Sequence, residues 1–189
     1  MTSAVIVAAG RGIRMETDQD KLFLEVAGLP VVGHTWKQFD QHSDIDEIIM
    51  VIRDSAREQF EKIADQLELT KAYSFASGGA ERQDSVNSGI SAVHIECEIV
   101  SIHDGARPCT SPATISSTIE RARETGAAVA SRKITDTIKI VNDQNYITQN
   151  VDRTNLWAVQ TPQVFRLEVI RKAMAAVRET GAVITDDTA

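Results

Sequence analysis

Apolar residues in this chain fall into short unbroken runs, separated by stretches where they recur every three or four positions. Ala4-Val5-Ile6-Val7-Ala8-Ala9 is short, β-branched and stopped by Gly10, which predicts a buried strand. Similar runs predict strands over 48–52, 72–76, 99–102 and 127–130. Between them the spacing turns helical. Val32, Trp36 and Phe39 mark a helix over 29–42, with Pro30 in its first turn. Phe60, Ile63, Ala64 and Leu67 share one face of a helix over 54–67. Further helices are predicted over 85–93, over 112–125 with Ser111 as cap, and over 166–180. Strands alternating with helices predict a Rossmann-like α/β domain over 1–189, its mostly parallel sheet covered by helices on both faces. Ligands of such sheets sit beyond the C-terminal strand ends.

The rhythm changes after residue 132. Ile134, Asp136, Ile138 and Ile140 alternate polar with apolar, Asn142-Asp143-Gln144-Asn145 is a turn cluster, and alternation resumes over 146–151. This predicts an inserted β-hairpin at about 132–156. It is either an edge of the same sheet or an arm that reaches a second subunit.

Composition narrows the classes. With 189 residues the chain can bury about two-thirds of its unfolded surface. A net charge of −7 argues against general nucleic-acid binding, so any phosphate site must be local. No apolar run is long enough to span a bilayer. Met1-Thr2-Ser3 leads straight into the first strand, so no signal peptide is expected. Cys97 and Cys109 have neither disulfide-framework nor metal spacing, which suits a reduced, cytoplasmic setting.

Candidate chemistry gathers at the strand ends. After the first strand, Gly10 and Gly12 allow tight backbone turns, and Arg14 and Lys21 add cations. The loop is not a dinucleotide fingerprint, because Met15 occupies the third glycine position, and no Gly-Lys-Ser/Thr closes a Walker loop. It is a phosphate-binding loop or a plain strand-to-helix turn. After the third strand, Gly78 and Gly79 allow close approach to a flat base, and Ser85 offers a hydroxyl; alternatively Ser85 or Asp84 caps the next helix. After the fourth strand, Asp104 is placed to hold a metal ion or a ribose hydroxyl, or to pair with Arg107 and fix the loop. His103 has no second histidine at ligand spacing and reads as structural.

Five stretches, taken in order, resemble the 2-C-methyl-D-erythritol 4-phosphate cytidylyltransferases of non-mevalonate isoprenoid synthesis. They are Ala8-Ala9-Gly10-Arg11-Gly12-Ile13-Arg14-Met15 with Lys21, Gly78-Gly79-Ala80-Glu81-Arg82-Gln83-Asp84-Ser85-Val86, His103-Asp104-Gly105-Ala106-Arg107-Pro108, Asp136-Thr137-Ile138-Lys139, and the stretch from Val151-Asp152-Arg153 to Gln160-Thr161-Pro162-Gln163. Thr185-Asp186-Asp187 adds a shorter match. The resemblance implies transfer of CMP from CTP to methylerythritol phosphate with Mg²⁺, in a homodimer whose hairpin arms cross. It implies that Ala8, Ala9, Gly10, Gly12, Gly78, Gly79, Ser85 and Asp104 surround CTP, and that Arg14 and Lys21 grip its triphosphate and carry catalysis. It implies that Arg107, Thr137, Thr161 and Thr185, with Arg153 of the partner subunit, place the acceptor.

Val7, Asp20, Leu22, Ala80 and Gly105 depart from the family's usual residues; Asp20 stands where proline is common. Family members continue past Thr185-Asp186-Asp187 into an Asn-Ile-Lys segment, so a partial chain is expected. A ribitol 5-phosphate cytidylyltransferase is the nearest rival, disfavoured by Ala8-Ala9-Gly10 and Ala106-Arg107. A non-catalytic nucleotide-binding module and a Rossmann dehydrogenase are the others.

Overall fold

The computed structural model describes residues 1–10 and 20–180. The elements run in the expected alternation. β1 (Thr2–Val7) is followed by a 3-10 turn (Lys21–Phe23) and a small antiparallel pair, β2 (Glu25–Val26) and β3 (Leu29–Pro30). Then come α1 (Val31–Asp40), β4 (Glu47–Ile52), α2 (Arg57–Leu67), β5 (Ala72–Ser77), α3 (Arg82–Ser91), β6 (Ile99–Asp104) and α4 (Pro112–Thr125). The remainder is β7 (Ala127–Lys133), β8 (Lys139–Val141), β9 (Ile147–Asn150), β10 (Trp157–Arg166) and α5 (Leu167–Thr180).

The main sheet has the order β5-β4-β1-β6-β10-β7. β4 pairs in parallel with β1 and β5, and β1 with β6, whereas β10 runs antiparallel to both neighbours. Successive strand side chains point to opposite faces, and here both faces are dry. Ala4, Ile6, Ile48 and Met50 pack against Trp36, Phe60 and Ile119 from α1, α2 and α4. Val5, Ile49 and Val51 pack against Val86 and Ile90 of α3 and Ile170 of α5. Burial on both faces is why the central strands read as continuous apolar runs.

Two expectations are corrected and one strand is added. Pro30 caps α1 from an extended conformation instead of sitting inside its first turn, because Leu29–Pro30 pairs with β2. α3 starts at Arg82 with Glu81 as its N-cap; Asp84 does help cap it, from the third helical position, where its carboxylate accepts the Glu81 N–H at 3.0 Å, whereas Ser85 lies inside the helix. The sequence reading has no strand over 157–166, where Pro162 stands against an interior strand. The structure resolves this conflict with a register shift between Val159 and Gln163, which lets Pro162 sit where the β7–β10 ladder is interrupted.

The hairpin is not an edge of the main sheet. β8 and β9 form a two-stranded sheet of their own between β7 and β10. Ile140, Val141, Tyr146, Ile147 and Trp157 are exposed there.

Candidate active site

The parallel strands deliver four loops to one end of the sheet, around a cleft of about 930 Å³. Ala8, Ala9 and Gly10 follow β1, Arg53 follows β4, Gly79 follows β5, and Asp104 to Arg107 span the end of β6. Each loop begins as a continuation of the sheet. Ala8 N–H donates to Val51 O at 2.8 Å, Gly78 N–H to Ile52 O at 2.8 Å, and Gly105 N–H to Val7 O at 2.9 Å. These ladders fix where the loops leave the core, so the cleft inherits the rigidity of the sheet.

The paired glycines are needed for close approach. A Cβ on Gly78 would lie 2.2 Å from the Ala9 Cβ, and one on Gly79 would lie 2.2 Å from the Asp84 Cβ. Ser85 is buried, and its hydroxyl ties this turn together: it accepts from Gly79 N–H at 3.1 Å and donates to Glu81 O at 3.3 Å. Of the two readings of Ser85, capping is excluded; Ser85 orders the glycine turn at the cleft wall.

Asp104 is held by two arginines. Arg107 Nε donates to Oδ2 at 2.8 Å, and Arg82 Nη2 lies 3.4 Å from Oδ1. Burial pushes the Asp104 pKa up, but the Arg107 hydrogen bond and both guanidinium charges outweigh it, keeping the carboxyl below its ordinary value. The loop-fixing Asp–Arg pair is therefore present, and the carboxylate is ionised at neutral pH.

Behind this pair His103 is fully buried. Its Nε2 faces Arg107 O at 3.1 Å, so it carries the proton, and Nδ1 accepts the Thr161 hydroxyl at 3.0 Å. Thr161 in turn accepts Asp104 N–H at 3.3 Å. The Thr161 donor is thus engaged inside the fold. Burial lowers the His103 pKa from 6.5 to about 4, which keeps the ring neutral. His103 is structural, as its sequence context indicates.

Among the predicted site residues, Ala8, Ala9, Gly10, Lys21, Gly79, Ser85, Asp104 and Arg107 line the cleft, and Gly78 backs it. Gly12, Arg14 and Thr185 lie outside the described residues. Thr161 is buried behind β6. Thr137 and Arg153 are exposed on the arm and do not line this cleft. Arg153 Nη1 donates to Thr135 O, which holds it against the arm's base.

The sequence reading misses Arg53 and assigns no role to Arg82, yet both line the cleft. Arg53 is the first residue past a buried strand, and extending the strand-end rule to the second strand would have found it. Lys21, Arg53, Arg82 and Arg107 outnumber the carboxylates of the lining, Glu81 and Asp104, so the cleft carries an excess of cations in a chain of net charge −7. Among the described residues no group of three or more His, Cys, Asp or Glu side chains gathers to hold a metal ion.

Comparison with known proteins gives the family. The family model for IspD, 2-C-methyl-D-erythritol 4-phosphate cytidylyltransferase, matches residues 2–189. A protein of that name from Caldanaerobacter subterraneus subsp. tengcongensis is 43% identical over 187 residues, covering 98% of this chain and 82% of the relative. One from Bacillus velezensis is 40% identical over 183 residues, covering 97% and 78%. The crystal structure of 4-diphosphocytidyl-2C-methyl-D-erythritol synthase from Anaerococcus prevotii superposes with a TM-score of 0.86 at 30% identity, over 99% of this chain and 80% of that one. The chain belongs to the 2-C-methyl-D-erythritol 4-phosphate cytidylyltransferase family.

Proposed function

We propose that this cleft transfers CMP from CTP to 2-C-methyl-D-erythritol 4-phosphate. The observation that carries the reading is the cleft itself: the small residues Ala8, Ala9, Gly10 and Gly79 line it together with Lys21, Arg53, Arg82 and Arg107, beyond the C-terminal ends of β1, β4, β5 and β6. The small residues leave room for a flat base and its sugar, and the cations suit a triphosphate.

In the reaction an oxygen of the acceptor's phosphate bonds to the α-phosphorus of CTP. The bond from that phosphorus to the bridging oxygen breaks, and its electron pair leaves with pyrophosphate. The acceptor oxygen is already ionised, so no side-chain nucleophile is required. Catalysis is then positioning and charge stabilisation. Lys21 at the cleft rim is the described cation we assign to the triphosphate. Arg14 belongs to the same role by family resemblance.

The residues fit a magnesium ion carried mainly by nucleotide phosphates. Asp104 is one ionised carboxylate in the cleft, and Mg²⁺ commonly takes one or two carboxylates alongside phosphate oxygens. Bound there, the ion supplies neutralisation of developing phosphate charge. The arginines on Asp104 fix where that carboxylate points.

The arm completes a site in a second copy. A two-stranded hairpin is marginal alone, and its apolar side chains have no cover within the chain's own sheet. A homodimer that exchanges arms supports this hairpin and carries Thr137 and Arg153 toward the acceptor's phosphate. A cytoplasmic setting belongs to the same reading; among the described residues no helix is long and apolar enough to cross a membrane.

Labelled CTP tests the reaction. Label at the α-phosphate should pass to the methylerythritol product, and label at the γ-phosphate should appear in pyrophosphate. γ-label in the organic product would mean phosphoryl transfer and would overturn the reading.

A further inference from the structure

Arg53 ties together two segments that flank the phosphate side of the cleft. Its Nη1 donates to Gly10 O at 2.9 Å and lies 3.4 Å from Ala9 O. Its Nη2 donates to the Asp20 carboxylate. Asp20 in turn accepts Leu22 N–H at 3.1 Å through its other oxygen, capping the turn Lys21–Phe23. Phe23 N–H closes that turn on Asp20 O at 2.9 Å. Leu22 is buried in the core, and Phe23 packs edge-on to Phe60 with centroids 5.4 Å apart.

Lys21 is thereby fixed from both sides. Leu22 and Phe23 anchor the chain after it, and the Arg53–Asp20 pair anchors the chain before it. The pair is largely buried, with side-chain exposures of 22% and 17%, so solvent and salt screen it less than a surface pair. The planar guanidinium suits this bridge, because one fork reaches backbone carbonyls and a carboxylate together.

We propose that Asp20 and Arg53 are positioning residues that preset Lys21 against the triphosphate, and that Arg53 acts through Lys21 and not on CTP. This rests on the reading of Lys21 above. Arg53 lines the cleft, so direct contact with phosphate is the rival role. The two roles differ in what Asp20 does. In a clamp, removing the Asp20 charge loosens Lys21. In direct contact, it frees Arg53 for phosphate.

The test follows pyrophosphate release from CTP and methylerythritol phosphate in Asp20→Asn, Arg53→Gln, Arg53→Lys and Lys21→Ala, and in Asp20→Asn and Arg53→Gln each combined with Lys21→Ala. Misplacing a reacting group by about 1 Å costs up to about a hundredfold. Asp20→Asn and Arg53→Gln should each lower kcat by about 10–100-fold and change the KM for CTP far less, measured at a temperature where melting curves show both variants fully folded. Arg53→Lys should recover part of the loss. Lys21→Ala should lose about 10²–10³-fold, and neither Asp20→Asn nor Arg53→Gln should cost more in that background. Unchanged or raised kcat in Asp20→Asn, with loss in Arg53→Gln, would give Arg53 a direct role and overturn the clamp. So would an equal fold-loss in the Lys21→Ala background. Near-normal turnover of Lys21→Ala would instead overturn the reading of Lys21, and the clamp with it.

Discussion

At His103, burial and hydrogen bonding fix the protonation state of a side chain that shapes the cleft without entering it. In the unfolded chain the ring titrates near 6.5, and in the fold at about 4. Between those values the unfolded chain takes up a proton that the folded chain refuses. Stability therefore falls as pH drops from about 6.5 to about 4, by roughly 3 kcal/mol. Asp104 adds a further loss at lower pH, because its carboxyl is held below its ordinary value and protonates first in the unfolded chain. Urea unfolding midpoints measured across this range should show the slope, and His103→Asn should flatten its upper part. An unchanged slope in that variant would place the titration elsewhere. Much at this scale was legible in the sequence. Glycines, cations and a carboxylate at strand ends single out Gly10, Lys21, Gly79, Asp104 and Arg107, and these line one cleft. Arg53 and the Thr161–His103–Arg107 chain were not legible, because each depends on a partner that only the fold brings near.

Among the elements, the five strands predicted from apolar runs all form; β1, β4 and β6 are covered on both faces and leave an unambiguous pattern, while the edge strands β5 and β7 are largely exposed. β10 is the strand that the pattern hides. Its first half, Trp157 to Val159, pairs only with β7 and carries exposed Trp157, and its second half is buried between β6 and β7. No single periodicity describes both halves. The same β7–β10 pair leads out to the hairpin, and that makes the arm a continuation of the sheet's own strands. The proposed arm exchange has a direct consequence. A Lys21→Ala chain mixed with an Arg153→Ala chain gives heterodimers with one intact cleft. Half of the dimers at equal mixing are of this kind, so activity should return to about a quarter of wild type in a two-fold dimer. No recovery after confirmed subunit exchange would place Arg153 in its own chain's site.

For the whole molecule, the sheet does two jobs. Its C-terminal strand ends build the cleft, and its reversed strand β10, with β7, supports the arm. The net charge of −7 limits unspecific attraction to polyanions, while the cations of the cleft remain local. The chain covers 82% of its Caldanaerobacter relative and 80% of the Anaerococcus structure, and the cleft lies within that shared part. The most direct test of CMP transfer is pyrophosphate release by this chain with Mg²⁺, each of CTP, ATP, GTP and UTP, and either methylerythritol phosphate or ribitol 5-phosphate. Release should require CTP and methylerythritol phosphate together and stop when either is omitted. Faster release with ribitol 5-phosphate, with another nucleotide, or with no acceptor would contradict the account.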